Sequence, residues 1–194
     1  SKSAALQVAL VSQLVNQRQF DEALSLARSA QEAQPKAPIG DILEGEIHES
    51  AKDYDKASAS YQRALAKQAI GTLAVKVFLA EARGGDVDGA LGRLQAWADR
   101  HPSDPSARAQ IGDVFLGRGD YKAAAEQYEQ IIATKQAPLE VLNNLAFAYQ
   151  SLKDERALQY AEAAYQAAPN SGMVVDTLGW ILLEKGEAER ALGY

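Results

Sequence analysis

The sequence predicts an all-α fold, a right-handed superhelical solenoid of paired helices, and three observations carry that expectation. Apolar residues recur with helical periodicity from end to end, with no sustained two-residue alternation of the kind a half-buried strand shows. The alanines Ala23, Ala57, Ala90, Ala124, Ala157 and Ala191 stand 34, 33, 34, 33 and 34 residues apart, a period that marks stacked supersecondary units. All six prolines fall at joints defined by that period: Pro35, Pro102 and Pro169 come twelve residues after their alanines, and Pro38, Pro105 and Pro138 stand where the next unit opens. Proline lacks an amide hydrogen and fixes φ, so it closes one helix or begins another.

Taken in order, the first unit covers 4–37, with helices expected at 4–17 and 20–34 around the polar turn QRQFD. The second covers 38–70, with helices at 38–51 and 54–68 around AKDYD. It departs from the others, since Glu44 takes an apolar anchor place and Ala69 replaces the closing proline. The third covers 71–104, with helices at 71–83 and 87–101 around RGGDVD. The fourth covers 105–138, with helices at 105–117 and 121–135 around GRGDY, and the fifth 139–171, with helices at 139–151 and 154–168 around SLKDE. A truncated sixth, 172–194, has a helix at 172–184, the turn EKGE and the opening of a helix at 187–194. Together they make a single domain over 4–194. Turns rich in Gly, Asp and Lys suit tight helix hairpins.

Within each unit the first helix has an apolar anchor at Leu10, Val77, Ile111, Leu145 or Leu178, often followed by a small residue such as Gly45, Gly112, Ala146 or Gly179. Small residues let paired helices approach, and larger ones fill what remains. Tyr61, Leu94 and Tyr128 stand four after the repeat alanine; Phe115, Tyr149 and Leu182 stand four after the anchor, on the same helical face.

A 34-residue helix-turn-helix unit with this spacing of small, aromatic and proline residues resembles the tetratricopeptide repeat across essentially the whole chain. The segments GDYKAAAEQYEQII, LNNLAFAYQSLKDERAL and DTLGWILLEKGEAERAL carry the resemblance best. More narrowly, GALGRLQAWADRHPSD, LNNLAFAYQ, ERALQYAEAAYQAAPN and DTLGWIL, spread over 71–194, resemble the carboxyl-terminal repeats of the tetratricopeptide lipoproteins of the PEP-CTERM/exosortase system, which accompanies exopolysaccharide production. That resemblance implies a periplasmic, membrane-tethered scaffold held by a lipid, with a cytoplasmic assembly adaptor as the alternative.

Composition narrows the classes. A net charge of −6 and the absence of any basic run argue against a nucleic-acid partner or an anionic membrane surface. With no cysteine, disulfides, thiol nucleophiles and thiolate metal sites are excluded together. The two histidines, His48 and His101, lie 53 positions apart with no serine or aspartate spaced as a triad. His48 occupies a packing place, and His101 ends a helix whose carbonyls an imidazolium would complement. Glu46 and Glu49 read as a solvated helix face. The glycines of RGGDVDG follow no strand, so they form no phosphate loop. The reading is a non-enzymatic protein with no cofactor and no metal.

A ligand is expected on the concave face, which first helices line in such solenoids. The residue before each anchor runs Ala9, Leu43, Lys76, Gln110, Asn144 and Thr177, so its last four members form a polar column. Beside it stand Asn143, Phe147 and Gln150, then Met173, Asp176 and Trp180. Amides beside aromatics suit an extended peptide, or a polysaccharide chain. Lys76, Gln110, Asn143, Asn144, Phe147, Gln150, Asp176, Thr177 and Trp180 are therefore the candidate binding residues. A clamp for a terminal carboxylate is disfavoured, because Val8, Ser12 and Leu43 leave Lys76 alone. Trp180 has a second reading, as packing for a further helix. Leu192 and Tyr194 open a helix whose closing turns are lacking, so self-association through that end is expected.

Overall fold

The computed structural model describes residues 2–133 and 137–194, with side chains from residue 5 onward. Among the described residues the chain is wholly helical: α1 Lys2–Asn16, α2 Phe20–Ala33, α3 Ile39–Ser50, α4 Tyr54–Lys67, α5 Gly71–Arg83, α6 Val87–Arg100, α7 Pro105–Gly117, α8 Tyr121–Ile132, α9 Leu139–Ser151, α10 Arg156–Ala167, α11 Gly172–Glu184 and α12 Ala188–Ala191. Most ends fall within two residues of expectation. The eighth helix stops at Ile132 rather than reaching 135, and positions 134 and 135 lie outside the described residues. The last is a single turn, Ala188–Ala191, where a helix to 194 was expected.

One device builds every hairpin. A residue in the left-handed region follows each first helix: Arg18, Lys52, Gly85, Gly119, Lys153 and Gly186, with φ between 56° and 107°. The next amide then turns back to a carbonyl five residues earlier, from Gln19 to Leu14, Asp53 to His48, Asp86 to Glu81, Asp120 to Phe115, Asp154 to Tyr149 and Glu187 to Leu182, at 2.8–3.1 Å. These bonds satisfy carbonyls that the helix end leaves unpaired. Asp53, Asp86 and Asp120 then cap the second helix, their carboxylates accepting from the amides of Lys56, Gly89 and Ala123.

The chain divides into two compact units, residues 1–107 and 108–194. In the first, α1 packs on α2, α3 on α4 and α5 on α6, with α2 against α3 and α4 against α5. Ala23, Ala27, Ala30, Leu43 and Ile47 form one cluster of its core; Ala57, Tyr61, Val77 and Ala80 form another. In the second, α9 packs on α8, α10 and α11. Its core gathers Tyr128, Leu145, Tyr149, Leu178, Ile181 and Leu182. Three buried tyrosines send their hydroxyls to carboxylates: Tyr61 to Glu49 and Tyr128 to Asp113, both at 2.7 Å, and Tyr149 to Glu129. Burial raises all three phenols above their ordinary range, so each stays a donor.

The second repeat resolves its irregularity by rotation of burial within α3. Leu43 is buried in place of Glu44, whose carboxylate reaches Arg63 Nη2 and Gln31 Nε2 at 2.6 Å each. Asp41 is also buried, with Lys67 Nζ 2.5 Å from one oxygen and Arg63 Nε 3.3 Å from the other. His101 bonds the Trp97 carbonyl through Nδ1 at 2.9 Å and stacks on the Trp97 ring.

Gly179 corrects an expectation. It was assigned to close helix approach, as Gly45 and Gly112 are, yet a Cβ built there meets nothing within 4 Å. At Gly45 and Gly112 the space is taken by the rings of Tyr61 and Tyr128. Those tyrosines stand four after the repeat alanine, and the corresponding place after Ala191 is position 195, past the given sequence.

Candidate functional site

The candidate residues fall in both units. Lys76 lies in the first, on α5, where its ammonium is 3.0 Å from Glu46 Oε1 and 5.1 Å from the centre of the Tyr61 ring. It is already neutralised. The other eight lie in the second unit, on α7, α9 and α11.

There the aromatic residues come together. Phe147 on α9 and Trp180 on α11 have ring centres 5.3 Å apart, and Tyr121, at the start of α8, meets Phe147 edge-on at 6.1 Å. Trp180 keeps 37% of its surface exposed, and Met173 and Leu183 on the same helix are also exposed. Such an arrangement presents rigid apolar area beside polar groups.

The polar part is organised by a residue that the sequence did not single out. Asp113 on α7 accepts through Oδ1 from both the Tyr128 hydroxyl at 2.7 Å and Asn144 Nδ2 at 3.0 Å. Asn144 thus faces its neighbouring first helix, and one helical turn separates it from Phe147. Gln110 is half-buried on α7, and Asp176 is exposed on α11, one turn before Trp180. Gln150 is half-buried beside Lys153 and Glu184 at the far end of α9.

Two candidates sit deeper than expected. Thr177 is turned inward, 9% exposed, with Oγ1 donating to the Met173 carbonyl at 2.9 Å. Its β-branched side chain satisfies itself on its own helix instead of facing a groove. Asn143 is 4% exposed, and its Oδ1 has no donor. A buried amide oxygen without a partner is costly, of the order of 1–3 kcal/mol.

Among the described residues no three His, Asp or Glu side chains gather as metal ligands, and no helix is long and apolar enough to cross a membrane. His48 is half-buried on α3, with Glu44 3.9 Å away; burial lowers its pKa below the ordinary value, against an opposing pull from that carboxylate.

Comparison with known proteins agrees with the helical-repeat fold. Residues 8–71 and 78–141 match the tetratricopeptide repeat family. The chain is similar to YrrB, a tetratricopeptide protein with an unusual peptide-binding site, at 19% identity and a TM-score of 0.58 over 88% of this chain and 89% of that one. It is similar to PilF of Pseudomonas aeruginosa at 15% identity and a TM-score of 0.71, over 100% of this chain and 89% of that one. Yeast Tom70 aligns at 14% identity and a TM-score of 0.73, over 89% of this chain but 38% of its own. At such identities the likeness is one of fold. No curated protein sequence matches.

Proposed function

Because the chain belongs to the tetratricopeptide repeat family, we propose that it is a non-enzymatic scaffold that holds an extended segment of a protein partner across the first helices of residues 108–194. The observation that carries this reading is the pairing of the half-buried Phe147 with the exposed Trp180, next to the Asp113–Asn144 hydrogen bond. An extended peptide needs acceptors and donors for its backbone and a rigid apolar surface for alternate side chains. That surface supplies both. The peptide-binding site of YrrB, a protein of the same fold, supports the class of partner.

Our reading extends to context. The segments over 71–194 that resemble the lipoproteins of the PEP-CTERM/exosortase system favour a role on the periplasmic side of a bacterial envelope, in exopolysaccharide production or protein sorting, with a lipid tether on the full-length protein. Fractionation of the full-length protein tests the location.

The binding face is tested by placing a photo-cross-linking phenylalanine analogue at position 180, and separately at Ala66 on α4, followed by irradiation in the native envelope. The expected result is a discrete protein adduct from position 180 and none from position 66. Equal adducts from both positions would remove the site from this face. Perturbation of Trp180 by exopolysaccharide oligomers, with no protein adduct, would replace the peptide by a sugar chain.

A further inference from the structure

The carboxylates on the first helices are treated differently in the two units. In the first unit each one on α3 and α5 meets a cation: Asp41 meets Lys67 and Arg63, Glu44 meets Arg63, Glu46 meets Lys76, Glu49 meets Arg83, and Glu81 meets Arg93. In the second unit Asp113, Glu140, Asp176 and Glu184 have no cation among the described residues. Asp113 receives only the neutral donors Tyr128 and Asn144, both on one oxygen.

Nor do the helices α9 and α11 hold a cation in reserve. Neither α9 nor α11 contains Lys or Arg. From residue 108 onward α7 has Arg108 alone, and its Nη1 points to Gln127 on α8 at 3.4 Å. Elsewhere on the unit, Arg156 meets Asp154 and Glu129, and Arg190 meets Glu187 and Glu162. The first-helix face is thus left with carboxylates and with no cation on α9 or α11 to answer them. Asp176 stands one turn before Trp180, and Asn144, bonded to Asp113, stands one turn before Phe147; the π faces of the half-buried Phe147 and the exposed Trp180 attract cations. A second, independent observation lies on the same strip: Asn143 Oδ1, one turn before Phe147, is buried without a donor.

We propose that the partner segment is basic: an extended stretch bearing arginine or lysine, with a cationic side chain laid on Phe147 and Trp180 between Asp113 and Asp176. The unpaired carboxylates of the face are acceptors beside a π surface, and an arginine-bearing strand supplies donors to them. Acidic tails are excluded by the same arrangement, since like charge against unpaired carboxylates repels. The first unit, its charges matched internally, makes no such demand. The inference rests on the peptide-binding reading above and adds the charge of the partner.

The test uses three fluorescein-labelled peptides of equal length on the whole chain, with arginine, citrulline or glutamate alternating with serine. Affinity is read by anisotropy and location by amide chemical shifts. The arginine peptide is expected to shift amides of α9 and α11 and to bind at least about tenfold more tightly than the citrulline peptide, an advantage that shrinks as salt rises from about 0.05 to about 0.5 M. Asp176→Asn and, with helicity checked, Asp113→Asn are each expected to lower the arginine affinity several-fold. Glu126→Gln, an exposed carboxylate on α8, leaves it unchanged. Equal binding of citrulline or glutamate peptides at α9 and α11 would overturn the charge preference and leave the peptide face standing. Failure of all three peptides to shift those helices would overturn the face itself.

Discussion

The ring of Tyr128 lies directly over Gly112, so close that a methyl group at position 112 would stand 2.5 Å from its Cε1. The same relation holds between Tyr61 and Gly45, and the remaining repeats answer it with other sizes: Ala146 with Ala161, Val11 with Ala27, Phe78 with Leu94. Only the two glycines face a full phenol ring.

That difference separates two glycines that look alike in sequence. Gly112→Ala is expected to destabilise the protein by roughly 1–3 kcal/mol, because the buried ring and its bond to Asp113 leave little room to move. Gly179→Ala is expected to stabilise it by up to about 1 kcal/mol, the helix-propensity gain where nothing obstructs a methyl. Urea midpoints of the two variants check the pair, and equal losses would refute the assignment.

The hairpin turns offer a second test. Arg18, Lys52 and Lys153 adopt the left-handed conformation that Gly85, Gly119 and Gly186 adopt in the other repeats. A side chain there costs about 1–2 kcal/mol that glycine avoids, less what glycine loses to its freer unfolded chain. Lys52→Gly and Lys153→Gly are therefore expected to raise the melting temperature slightly, and Gly119→Ala to lower it. A fall in all three would mean that the turn residue acts through its side chain.

His48 makes stability depend on pH. Burial holds its folded pKa below the ordinary 6.5, and Glu44 offsets this only in part. The unfolded chain then binds the proton more readily, so the contribution is complete above pH 6.5 and is lost as pH falls from there through the lower folded pKa. The slope from this one site cannot exceed about 1.4 kcal/mol per pH unit. Denaturation midpoints of His48→Gln are expected to be flatter than those of the parent between about pH 7 and 5. An unchanged slope would assign the dependence elsewhere.

Local chemistry was legible in the sequence, and partnership across repeats was not. The alanine period, the prolines at the joints and the polar turns are short-range signals, and they located the helices. They could not show that Asp113 would accept from Asn144, 31 residues on, or that Lys76 would be spent on Glu46, 30 residues back. Thr177 illustrates the same limit: counting from the anchor placed it on the groove, whereas a bond to its own helix turned it inward. Phe147 and Trp180 stand two after their anchors, and that shared offset is what brings their rings together.

Trp180 and Asn144 carry the last prediction. Trp180 contributes rigid apolar area that stays 37% exposed, and Asn144 holds Asp113 in place while remaining only half-buried. Neither is in the core, and Tyr128 still donates to Asp113 when Asn144 is truncated. The double variant Trp180→Ala with Asn144→Ala is therefore expected to keep its helicity yet weaken partner binding by at least roughly 2 kcal/mol, the loss typical of a centrally placed anchor. Calorimetric titration of the cross-linked partner, once purified, measures the loss, and the two single variants reveal whether the residues act together. Full affinity in the double variant, with the fold intact, would return Trp180 to packing alone.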